Sequence, residues 1–123
     1  KMFTLVEGKG KQPNHTQQVM VNYAGYLANG TLFDSNVKEI EETYGKYNAM
    51  REQQGGYQAF PMEYNSNAPL IPGFKEALLK MKVGDKVRVF IPAALGYGER
   101  GAGEVIPPNS DLIFDIEITD IAK

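Results

Sequence analysis

Tyr97 stands between two glycines in the stretch 96–103, and just beyond it Val105 and Ile106 lead into Pro107-Pro108. A phenol on a glycine-rich loop, followed by an apolar pair and by two prolines that stiffen the chain and remove two backbone donors, could form an apolar pocket with a hydrogen-bonding group at its rim. Tyr23, Phe33, Phe74 and Phe114, with Ile71, are the other large side chains that could complete it. Taken singly, each reads as an ordinary core residue. Together with Tyr97 they offer what a shallow apolar pocket with one hydrogen-bonding rim group would need.

Other chemistries find little support. A glycosidase needs two carboxyls facing each other across a cleft, whereas Asp115, Glu117 and Asp120 alternate with the apolar residues of a strand and read as solvated surface. A serine nucleophile needs a histidine base, and the single histidine, His15, lies in the polar run 12–18 with no G-x-S-x-G elbow nearby. The glycines of residues 98–103 neither follow a strand directly nor open a helix, and the lysine of a phosphate loop is missing. With no cysteine, disulfides and thiolate metal sites are excluded, and His15 has no ligand partner, so neither metal nor cofactor is expected.

Thirteen basic and fifteen acidic residues leave a net charge of −2 without a Lys/Arg cluster, which argues against a nucleic-acid partner. Apolar runs are too short for a membrane span and no signal-peptide pattern opens the chain, so a soluble protein is expected. The chain starts at Lys1, which fits either a mature product or a domain excised from a longer chain. Its 123 residues suit one domain, residues 1–123, with an independent core.

The elements that must position these side chains follow from periodicity. Residues 2–7 have the content of a short strand and 8–18 read as a loop. Residues 19–27 alternate, with Val19, Val21 and Tyr23 on one face, and reach the hairpin signal Asn29-Gly30 before returning through Thr31-Leu32-Phe33. In 36–61, Val37, Ile40, Tyr44 and Tyr47 recur at helical spacing, predicting an amphipathic helix that lays its tyrosines on the sheet and is interrupted or restarted at Gly45. Residues 60–64 form an edge strand because of Pro61. Phe74, Leu78 and Met81 mark a helix after Pro72-Gly73. Val87, Val89 and Ile91 share one face of a strand, as do Leu112, Phe114, Ile116 and Ile118. About five strands, one helix and an extra helical segment indicate an antiparallel α+β domain.

Residues 21–27 (VNYAGYL), 30–35 (GTLFDS), 70–79 (LIPGFKEALL), 81–85 (MKVGD), Ile91-Pro92 and 96–121, in that order and spacing, resemble the FKBP family of peptidyl-prolyl cis-trans isomerases. The resemblance implies a bent antiparallel half-barrel sheet wrapped around one short helix, with the pocket between helix and sheet. Carried over, the pocket would hold Tyr23, Phe33 and Asp34 from the hairpin, Leu70 and Ile71 ahead of the helix, and Phe74 at its start. Tyr97, Val105 and Ile106 would come from the glycine-rich flap and Phe114 from the last strand. By the same analogy the Ile71 N–H and the Tyr97 hydroxyl donate to carbonyls of a bound peptide, and Asp34 makes polar contacts at the rim.

Three departures from the family pattern stand out. Phe74 occupies the floor position where tryptophan is usual. Met62 replaces an aromatic expected before the helix, with Phe60 or Tyr64 able to serve if the register slips. The insertion 36–61 is far longer than the common connection and, following Asp34-Ser35 directly, should lie near the rim. The implied function is an isomerase acting on proline-containing peptides and unfolded proteins to assist folding, as a monomer that could also bind rapamycin-type macrolides. The competing reading is a binding or chaperone module on the same fold, with turnover incidental.

Overall fold

The computed structural model describes residues 1–122. Six strands and three α-helices follow among these residues in the order β1 (Met2–Val6), β2 (Gln18–Leu27), β3 (Leu32–Ser35), α1 (Lys38–Thr43), α2 (Ala49–Gln53), β4 (Phe60–Glu63), α3 (Pro72–Leu78), β5 (Lys86–Ile91) and β6 (Leu112–Ile121). The six strands make one antiparallel sheet in the order β1-β5-β6-β2-β3, with β4 also paired to β2. The expected class, an antiparallel sheet with a short helix against it, is therefore the observed one, with one strand more than the expected count of about five.

Alternation explains which face is buried. Leu112, Phe114, Ile116 and Ile118 of β6 point to the core, as do Val87, Val89 and Ile91 of β5 and Val19 and Val21 of β2. The stripe Phe74, Leu78 and Met81 closes the same cluster from the helix side. Pro72 sits in the first turn of α3, where its missing N–H leaves no hydrogen bond unmade. Gly73 is required for contact with the sheet, since a Cβ there would lie 2.5 Å from Cγ2 of Ile91.

The edge of β2 away from β6 is shared by two short strands. β3 pairs with its second half, Ala24 to Tyr26, and β4 with its first half, Gln18 to Val21. The residues between β3 and β4 thus leave the sheet at the junction and return beside it. Asn36 seals that junction: its Oδ1 accepts from Tyr23 N at 2.8 Å, and its Nδ2 donates to Val21 O at 2.8 Å and Gln58 O at 3.0 Å. Ser35 Oγ donates to Tyr23 O at 2.7 Å. Two side chains thereby satisfy the Tyr23 main chain where neither strand reaches it.

The segment 36–61 holds two short helices, broken as expected where Gly45 takes a left-handed φ of 70°, but the face it buries differs from the expected one. The buried residue of α1 is Glu41, while Tyr44 and Tyr47 stay largely exposed. Tyr44 meets Tyr26 at a ring separation of 5.7 Å, and Tyr47 stacks on Tyr57 at 5.8 Å. Glu41 can be buried because Arg51 and Tyr57 return to it from beyond the break, a pairing that apolar periodicity cannot register. The stretch 96–103, expected as a glycine-rich loop, contains the 3₁₀ turn Gly98–Arg100. No helix among the described residues is long and apolar enough to cross a membrane.

Candidate active site

Between α3 and the sheet lies a concavity of about 490 Å³. Its walls are Tyr23, Phe33, Asp34, Phe60, Met62, Pro69, Leu70, Ile71, Phe74, Tyr97 and Phe114. Four of the aromatic rings form a continuous edge-to-face series. Tyr23 and Phe74 lie 6.4 Å apart at 81°, Phe74 and Phe114 5.1 Å apart at 85°, and Phe114 and Phe33 5.5 Å apart at 86°. Such pairs hold ring positions as well as area, because the positive edge of one ring meets the negative face of the next.

This series depends on a missing side chain. A Cβ on Gly25 would stand 2.5 Å from Cζ of Phe33 and 2.8 Å from Cε1 of Phe114. Only glycine lets β2 pass behind both rings. At the floor, Phe74 is 4% exposed and packed into the core, so the pocket base is apolar with no donor.

The rim carries the polar groups. The Tyr23 hydroxyl donates to Asp34 Oδ2 at 2.6 Å, and Arg51 Nη1 donates to Asp34 Oδ1 at 2.8 Å. Arg51 belongs to α2, so the insertion supplies the counter-charge of the pocket carboxylate. Burial pushes the Tyr23 phenol well above the usual tyrosine range, and the adjacent Asp34 carboxylate pushes it the same way, so this hydroxyl stays a donor. Burial opposes the charge on Arg51, yet the Asp34 hydrogen bond and charge outweigh it and hold the guanidinium above its ordinary value. Two donors remain available: neither the Ile71 N–H nor the Tyr97 hydroxyl has an acceptor among the described residues, and both residues line the concavity.

Of the residues expected at the site, Tyr23, Phe33, Asp34, Met62, Leu70, Ile71, Phe74, Tyr97 and Phe114 all line this one concavity. Val105 and Ile106 do not. Val105 is 57% exposed and Ile106 is buried in the core. Their loop folds on itself through paired hydrogen bonds between Ala102 and Ile106 at 2.9 and 3.1 Å. Gly101 permits the fold, because a Cβ there would come within 2.2 Å of Ile106 O.

Pro69 also lines the wall, and Phe60, the alternative to Met62, lines it beside Met62 and not in its place. The signal for Phe60 was the two-residue period of β4, which puts it on the same side as Met62. Tyr64 would continue that series, but the strand ends at Glu63. Tyr64 turns into the core instead, where its hydroxyl donates to Met81 O at 2.7 Å and burial raises its phenol.

The sequence model of FKBP-type peptidyl-prolyl cis-trans isomerases matches residues 9–119. The chain belongs to the FKBP-type peptidyl-prolyl cis-trans isomerase family. It is 41% identical over 115 residues to the FKBP-type 22 kDa peptidyl-prolyl cis-trans isomerase of Escherichia coli, covering 94% of this chain and 46% of that one. FK506-binding protein 1 of Dictyostelium discoideum is 38% identical over 115 residues, with 93% of this chain and 90% of that one covered. Among solved structures, a peptidyl-prolyl cis-trans isomerase from Pseudomonas syringae pv. tomato superposes with a TM-score of 0.70 at 30% identity, over 99% of this chain and 74% of that one. The chain spans between 39% and 46% of the length of three of its bacterial relatives. In this FKBP-type chain, the Tyr23–Asp34–Arg51 series joins the pocket rim to the insertion.

Proposed function

We propose that this chain is a single FKBP-type unit that accelerates cis-trans rotation about X-Pro bonds in peptides and unfolded proteins. The observation that carries this reading is the aromatic concavity with two donors, Tyr97 Oη–H and Ile71 N–H, that have no acceptor among the described residues. A planar X-Pro amide is polarised by resonance, whereas the twisted amide at the top of its roughly 18–20 kcal/mol barrier has lost that resonance. An apolar wall of Tyr23, Phe33, Phe74 and Phe114 solvates the twisted, less polar form better than water does relative to the planar one.

The two donors then orient the peptide by its carbonyls, and Asp34 makes polar contacts at the rim. Lowering the barrier by about 5–8 kcal/mol corresponds to roughly 10⁴ to 10⁶ in rate. No nucleophile, metal or cofactor enters this account. An uncatalysed step of tens of seconds is slow enough to limit folding, which gives the acceleration a use.

Phe74 at the floor and Met62 on the wall shape a cavity that admits a prolyl ring, and a rapamycin-type macrolide is a second occupant of the same surface. A monomer suffices, since every group invoked comes from one chain. The test is a protease-coupled assay on a short X-Pro peptide with the folded protein at micromolar concentration. Acceleration that a rapamycin-type macrolide suppresses is the expected result, and no acceleration counts against the proposal.

Phe60 favours a second reading. It lines the cavity yet is 58% exposed, which extends the apolar wall outward as a docking surface for unfolded chains. A binding or chaperone module of this kind would suppress aggregation of an unfolded protein with little turnover on short peptides.

A further inference from the structure

Asp34 alone carries a formal charge among the described residues lining the pocket. Its partner Arg51 is not a private one. The same Nη1 that meets Asp34 Oδ1 at 2.8 Å lies 3.4 Å from Glu41 Oε1. Glu41 is 4% exposed and also accepts from the Tyr57 hydroxyl at 2.9 Å, while Arg51 Nε donates to Gly56 O at 3.3 Å. Both helices of the insertion therefore meet at one guanidinium.

Two carboxylates on one guanidinium leave one net negative charge at the edge of an apolar cavity. The neighbouring pair Lys38–Glu52, 2.7 Å apart, adds none. Charges with little solvent around them are screened less than surface charges, so a buried Glu41 acts on a ligand beyond its own contacts.

We propose that the insertion sets the charge selectivity of the pocket, with Glu41 the determining residue: through Arg51 and Asp34 it favours peptides that carry a cation beside the X-Pro bond. Glu41 is a positioning and specificity residue, since it touches no substrate. The inference rests on the isomerase reading of the pocket and goes beyond it.

The test compares two short X-Pro peptides differing only in a lysine or a glutamate next to the proline. Exchange NMR measures turnover without a protease, and chemical-shift titration measures binding of the same peptides. Wild type should prefer the lysine peptide by about three- to tenfold, less at high salt. Glu41→Gln neutralises the excess charge and should bring the ratio close to one. Arg51→Met doubles the excess and should raise the ratio above wild type. A packing defect lowers turnover of both peptides together and cannot move the ratio in opposite directions in the two variants. Equal ratios in all three proteins overturn the proposal. If Glu41→Gln does not fold, Arg51→Met decides alone, because an unchanged or smaller ratio contradicts it. Absence of turnover in wild type sinks the isomerase reading, and the binding ratios still decide the charge selectivity.

Discussion

Arg51 Nη1 and Asp34 Oδ1 lie 2.8 Å apart although 17 positions separate them in the chain, and that contact ties the 36–61 insertion to the pocket rim. Asp34 accepts from Tyr23 on one oxygen and from Arg51 on the other, so both of its oxygens are held. A carboxylate held at both oxygens keeps one rotamer, which is what positions a rim group for a ligand.

Removing residues 37–58 and joining the ends with a short turn therefore has a local consequence as well as a surface one. Asp34 loses its guanidinium, and turnover on short X-Pro peptides should fall about three- to tenfold while the sheet still folds. Full activity on short peptides, with loss confined to unfolded proteins, would place the role of the insertion in client binding.

Tyr97→Phe separates catalysis from stability. Its hydroxyl has no partner among the described residues, so thermal unfolding should be unchanged within about 0.5 kcal/mol. The kcat/KM for a short peptide should drop by about three- to thirtyfold, the worth of one hydrogen bond to a bound carbonyl.

Phe114→Ala should damage both. The ring is 6% exposed, contacts Phe74 and Phe33 edge to face, and leaves a cavity the sheet cannot close. Chemical denaturation should show a loss of about 3–5 kcal/mol, with turnover lowered at temperatures where the variant remains folded. Wild-type turnover in this variant would mean that the pocket has been misplaced.

Gly25→Ala tests whether the back of β2 sets the ring positions. The added methyl would overlap Phe33 and Phe114 unless both shift. Overpacking of this kind costs about 1–3 kcal/mol, and affinity for a rapamycin-type macrolide should fall along with turnover. Unaltered ring chemical shifts in the variant would contradict the argument.

Acid sensitivity should trace partly to Asp85, which does not line the pocket. Burial alone would raise its pKa, but the N–H groups of Lys82 and Gly8, at 3.0 and 2.7 Å, and the nearby Lys82 charge more than compensate and hold it below the usual carboxylate value. A lowered folded-state pKa means stability that is present above the unfolded-state value and lost as pH falls through the folded one. Asp85→Asn should cost about 1.5–3 kcal/mol in urea unfolding at pH 7. The gap between variant and wild type should narrow as pH drops below about 4.

Much of the site could be read before any fold was known, and the exceptions have identifiable causes. The faces of β2, β5, β6 and α3 follow from alternation and from three- and four-residue spacing, because a side chain's direction is fixed by its own backbone period. Phe60 was legible in the same way through β4, but the family pattern put the emphasis on Met62. Val105 and Ile106 were assigned to the wall by their place after the glycines. The turn closed by Ala102 and Ile106 sends one outward and the other into the core, and a glycine-rich stretch does not encode which.

Residue order alone was enough to specify the antiparallel α+β class, the apolar faces, the hairpin at Asn29-Gly30, the break at Gly45 and a pocket built from aromatics. Each of these depends on neighbours within a few positions. Tertiary structure alone decided that Glu41 is buried, that Arg51 serves both Glu41 and Asp34, that Tyr64 leaves the pocket wall, and that Asn36 closes the gap between β3 and β4. Those outcomes are pairings between polar groups 10 to 22 positions apart. A charged or amide side chain can be buried only once its partner has arrived, and the arrival is a property of the folded chain.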